Sequence, residues 1–84
     1  MMRKEIQVRI PNGMDASPVA LLVQTANKFK STIYLEYGHA RVNAKSIMGM
    51  MSLGMDYEAR VMVEVEGEDE EEAMSAMEAF LSKR

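Results

Sequence analysis

From Arg60 to Glu66 the chain alternates without a fault, with Val61, Val63 and Val65 on one side and Met62, Glu64 and Glu66 on the other. A period of two puts one set on each face of a pleated strand, so this segment must bury one face and wet the other. Such a strand needs neighbours in a sheet and a layer over its apolar face. Two more runs repeat the pattern. Glu5 to Ile10 sets Ile6, Val8 and Ile10 against Glu5, Gln7 and Arg9, and Thr32 to Tyr37 places Ile33, Leu35 and Tyr37 together. Pro11-Asn12-Gly13 ends the first of these with turn residues. Gly38-His39 makes a tight turn after the second, and Ala40 to Asn43 returns as a short strand.

Elsewhere the period changes to that of a helix. Val19, Leu22, Val23, Ala26 and Phe29 share one helical face. Ser17-Pro18 reads as N-cap and first helical residue, because proline's missing N–H is not needed there, and Asp15 is a competing cap. This helix is predicted to stop near Lys28 to Lys30. Ser46 is expected to cap a brief helix that runs to about Leu53 and ends on Gly54. Asp69 and Glu72 have capping-box spacing, and Ala73, Ala76, Met77 and Phe80 form the apolar stripe of a last helix to about Ser82. The order β-α-β-β-α-β-α predicts an α+β domain, an antiparallel sheet covered on one face by helices.

Eighty-four residues, 48% of them apolar, predict one packed domain over 1–84. The absence of cysteine removes disulfides and thiolate chemistry and fits a reducing cytoplasm. The net charge of −3 is uneven, with acidic residues crowded between Glu64 and Glu72 and the basic ones scattered. That pattern argues against direct nucleic-acid binding. The acidic run is read as a solvated face and helix cap, since it lacks calcium-loop spacing, and no metal or cofactor is expected. No apolar run is long enough for a membrane span, and the N-terminus does not read as a signal peptide. A histidine–nucleophile pair and a glycine-rich phosphate loop are both missing, so the chain is read as a non-enzyme.

Several stretches resemble the HPr phosphocarrier family of the bacterial phosphotransferase system: Val23-Gln24-Thr25-Ala26, Leu35-Glu36-Tyr37, Val42-Asn43, and Lys45-Ser46-Ile47-Met48-Gly49 through Met51-Ser52-Leu53-Gly54. Gly67 and the acidic start of the last helix also fit, and the resemblance spans nearly the whole chain. It implies the HPr open-faced sandwich, four antiparallel strands with three helices on one face. HPr carries a His-Ala-Arg-Pro motif where this chain reads Asp15-Ala16-Ser17-Pro18. The carrier histidine corresponds to Asp15 and the phosphate-stabilising arginine to Ser17. The lone histidine, His39, falls in the hairpin turn and does not replace it. In type the chain is closest to the catabolite-repression HPr-like branch, which lacks the histidine, keeps the serine and is regulatory.

Three readings of Asp15 stand side by side: a helix cap, a fixed charge that mimics a phosphorylated site, and an acyl-phosphate carrier. Ser17 is read as a cap residue. At Ser46 the local sequence alone gives an unmodified cap, and the resemblance implies regulatory phosphorylation. Ile47, Met48, Met51 and Leu53 are the candidate partner-binding residues, because so short a helix cannot bury every apolar side chain and methionine adapts to varied partners. Met50 and Leu53 are expected largely inside, and Ile47, Met48 and Met51 partly outside. Met74 and Met77 are expected in the core. The partners implied are the HPr serine kinase/phosphorylase and a catabolite control transcription regulator, with enzyme I and sugar-permease domains as further candidates.

Overall fold

In the computed structural model, residues 1–10 and 16–82 are described. The elements are β1 (Met2–Gln7), α1 (Ala16–Ala26), β2 (Thr32–Tyr37), β3 (Ala40–Asn43), α2 (Ile47–Leu53), β4 (Arg60–Glu66) and α3 (Glu70–Leu81). The strands form one antiparallel sheet in the order β1-β4-β2-β3. β4, the strand with the faultless alternation, sits inside the sheet and pairs on both edges. Val61, Val63 and Val65 meet Ile33 and Leu35 from β2 and Ile6 from β1, all buried. Helices cover that face. α1 brings Val19, Leu22 and Ala26, α2 brings Met50 and Leu53, and α3 brings Ala73, Met74, Met77 and Leu81 into the same buried cluster. The predicted α+β open-faced sandwich is the observed fold.

β2, β3, α2 and β4 fall where the sequence puts them; β1 and α1 differ in their boundaries and α3 in its capping contacts. β1 starts earlier and ends at Gln7, because β4 offers partners only from Val65 to Arg60. Val8 and Ile10 keep the predicted inward face beyond the strand. There Val8 exchanges hydrogen bonds with the Glu58–Ala59 turn, and the Arg9 N–H donates to the Leu81 carbonyl at the end of α3. α1 already includes Ser17 and Pro18, so Ser17 is a first-turn residue and not the cap. The competing cap, Asp15, lies outside the described residues. α1 stops at Ala26, short of Lys28, although half-buried Phe29 still packs against the core.

The third change is at the start of α3. Asp69 is the N-cap by backbone, but its side chain makes no capping bond. Its carboxylate instead accepts from the Lys30 N–H at 2.8 Å, the Ser31 N–H at 2.9 Å and the Ser31 hydroxyl. Glu70, and not Glu72, reaches back to the local backbone, accepting from the Gly67 N–H at 3.1 Å. A capping box read from spacing assumes that the cap's best donors are local. Here two backbone N–H groups from a distant loop, with the buried Ser31, outbid them.

The opposite face of the sheet is open and ionic. Arg3 and Arg41 each bridge both Glu36 and Glu64 across β1, β4, β2 and β3. The Arg41 guanidinium also lies 4.1 Å from the Tyr34 ring centroid.

Candidate functional site

The site grows from the connection between β3 and α2. The Asn43 side chain accepts from the Lys45 N–H at 2.8 Å, a local turn that aims the chain into the helix. Ser46 follows in an extended conformation, φ −102° and ψ 114°, as an N-cap must be. Its hydroxyl accepts from the Gly49 N–H at 3.2 Å and its carbonyl from the Met50 N–H at 3.0 Å. Gly49 lies against this cap: a Cβ there would sit 3.4 Å from both Ser46 Oγ and Val42 Cβ, a close but ordinary van der Waals contact. Gly54, at φ 65°, ends the helix in the left-handed conformation that glycine adopts without strain.

Seven residues give α2 two turns and one buried edge. Met50 and Leu53, three apart, point into the core. Ile47, Met48 and Met51 are 48%, 80% and 49% exposed. Three large apolar side chains on one short helix therefore face solvent beside an exposed serine. Leu53, named above among the candidate partner-binding residues, is core and drops out of that surface.

Sequence reasoning missed two further features. Leu21, on α1, is 55% exposed. With Ile10, Ser17, Pro18 and Phe80 it lines a shallow apolar groove of about 190 Å³. Leu21 lies one turn on from Ser17 and off the buried stripe, so an apolar residue on a polar helix face was the available signal. The second is Lys45, whose half-buried ammonium donates to the Phe29 carbonyl at 2.7 Å. No local pattern announces that contact, since it joins residues sixteen apart.

Other candidate groups stand apart from Ser46. His39 is exposed in the two-residue turn at the opposite end of β3. Met74 and Met77 are buried, as expected. Among the described residues no group of three or more His, Asp or Glu side chains could hold a metal ion. Within the acidic stretch, Asp69 is held below the ordinary carboxylate range, first by the Ser31 hydroxyl and then by the Lys30 N–H. Glu70 is lowered mainly by the Gly67 N–H. These carboxylates are engaged with the fold.

The arrangement is thus a modifiable hydroxyl at a helix start, flanked by an apolar contact surface. Residues 2–83 match the family described as the PTS HPr component phosphorylation site. The chain belongs to the HPr family. It is 46% identical over 83 residues to the HPr-like protein Crh of Halalkalibacterium halodurans, covering 99% of both chains. The structure superposes on the phosphocarrier protein HPr of Bacillus anthracis str. Ames with a TM-score of 0.92, at 44% identity and 95% coverage of each chain. It also matches the crystal structure of Crh from Bacillus subtilis, described as a dimer with a swapped domain, with a TM-score of 0.79 at 42% identity, covering 99% of this chain and 95% of that one. The chain's single histidine, His39, lies outside the Asp15-Ala16-Ser17-Pro18 stretch. No helix among the described residues is long and apolar enough to cross a membrane.

Proposed function

We propose that this HPr-family protein is a non-catalytic cytoplasmic regulator of carbon catabolite repression, switched by phosphorylation of Ser46. The observation that carries the reading is the exposed Ser46 cap beside exposed Ile47, Met48 and Met51. Phosphorylation adds roughly −1.5 to −2 charges where backbone N–H groups and the start of a helix favour an anion. The fold survives the change while the charge of the contact surface is transformed. In this reading the serine kinase/phosphorylase writes the mark and a catabolite control regulator reads it through Ile47, Met48 and Met51. Enzyme I and sugar-permease domains are secondary partners. Ser17, in place of an arginine, removes a cation from the start of α1 and weakens contacts that depend on it.

With Asp15 where the carrier histidine is expected, phosphate transfer in sugar uptake is not this protein's role. The test is intact-mass analysis of two reactions, one with enzyme I and phosphoenolpyruvate and one with the serine kinase and ATP. Phosphate added only by the kinase, and lost in Ser46→Ala, supports the switch. Phosphate added by enzyme I, and lost in Asp15→Ala, replaces it with an aspartyl phosphocarrier.

A further inference from the structure

The connection between α1 and β2, residues 27–31, is tied down at both ends by side chains from elsewhere in the fold. Asp69 holds the far end through Lys30 and Ser31. Lys45 holds the near end through the Phe29 carbonyl. Asn27 closes the loop, its Nδ2 donating to the Val23 carbonyl at 2.9 Å and to the Lys45 carbonyl at 3.4 Å. α1 has no basic residue in its last turn. Lys45, reaching across from the β3–α2 connection, supplies a cation where the carbonyl groups at the end of α1 favour one.

Lys45 is also the residue next to Ser46. We infer that its ammonium is shared between two acceptors, the Phe29 carbonyl when Ser46 is unmodified and a phosphate when Ser46 is phosphorylated, so that modification of α2 loosens the end of α1. The inference rests on the Ser46 reading above and adds a consequence of modification outside α2. The chemistry favours the exchange. The Phe29 contact pairs an ammonium with a neutral carbonyl, whereas a phosphate dianion adds the attraction of opposite charges to the hydrogen bond. The lysine stem is flexible, so the head group swings without moving the backbone. The Phe29 carbonyl then loses its cationic donor. The Asp69 contacts, on the other side of the loop, are not drawn on. The carbonyl of Lys45 remains the weaker, 3.4 Å tie to Asn27. Phosphorylation would therefore be felt on α1, the helix that carries Ser17 and Leu21, as well as on α2.

The test compares wild type with Lys45→Met, which keeps an apolar stem and loses the charge, each before and after treatment with the serine kinase and ATP. Two quantities are read by NMR: amide exchange at Asn27, Lys28 and Phe29, and the second pKa of the phosphoserine by 31P titration. In wild type, phosphorylation should speed exchange at these amides by about five-fold or more. In Lys45→Met exchange is already fast and phosphorylation adds nothing. The phosphoserine pKa should be higher in Lys45→Met than in wild type, because its cation is missing; a lysine that merely packs would leave that pKa unchanged. Phosphate present by mass, with unchanged exchange and equal phosphoserine pKa values, overturns the coupling alone. Absence of phosphate overturns the Ser46 switch and the coupling with it.

Discussion

Glu58 holds a left-handed backbone, φ 71°, the one non-glycine residue to do so among the described residues. Its N–H donates to the Val8 carbonyl at 2.7 Å, and the next residue closes the turn through Ala59 N–H to Asp56 carbonyl. The turn therefore imposes a conformation that side chains with a Cβ resist. Glu58→Gly should stabilise the protein by about 0.5–1 kcal/mol, after allowing for glycine's freer unfolded chain. A higher urea midpoint at unchanged slope would be the sign; a lower midpoint would refute the strain. Gly67 is the opposite case. A Cβ there would come within 2.6 Å of Ser31 Cα, and Ser31 is fixed by Asp69 and cannot retreat. Gly67→Ala should cost at least about 1–3 kcal/mol, read from the same urea titration. The sequence marks Gly67 but not the contact that requires it, and marks Glu58 not at all, because each requirement comes from a segment distant along the chain.

At the scale of the element, α2 shows how a helix can be largely apolar and only partly buried. Its caps, Ser46 and Gly54, are legible because capping is local chemistry. Its inward edge follows from spacing, Met50 and Leu53. Met48→Ala should change stability by no more than about 0.5 kcal/mol, while Met50→Ala should cost about 2–5 kcal/mol. Equal losses in urea unfolding would mean that the division between surface and core is wrong. In a binding assay with the cognate regulator the order should reverse, with Met48→Ala losing affinity while remaining folded. β1 and α1 were less legible. Their ends are set by where β4 runs out of partners and where the chain leaves the helix, not by a residue that stops them.

The whole molecule carries its charges in opposed arrangements, and its response to pH follows. Glu64 is held below the ordinary carboxylate range by Arg41 first and Arg3 second, Asp69 by Ser31 and Lys30, and Glu70 by Gly67. A carboxyl depressed on folding binds fewer protons in the native state than in the unfolded one. Its stabilisation is complete above the unfolded value and disappears as pH falls through the folded one. Stability should thus be flat near neutrality and decline from about pH 5 downwards. Asp69→Asn should be less stable near neutrality and show a shallower acid decline. It presents one acceptor oxygen and turns an amide NH₂ toward donors from Lys30 and Ser31. Urea midpoints across pH 2–7 would check this, and a variant with the wild-type slope would remove Asp69 from the account. High salt should weaken the exposed Arg3–Glu36–Glu64–Arg41 lattice more than the Asp69 contacts.

Local sequence is enough for the element order, the buried faces of β1, β2 and β4, the caps of α2 and the family resemblance, because alternation, helical spacing and turn chemistry act over a few residues. Tertiary structure decided what long-range partners compete for. It took the Asp69 side chain from its own helix to clamp Ser31, drew Lys45 to the Phe29 carbonyl and left Leu21 on the surface. Each of these outcomes depends on a donor, an acceptor or an apolar wall that another element brings into place, and local sequence carries no record of it.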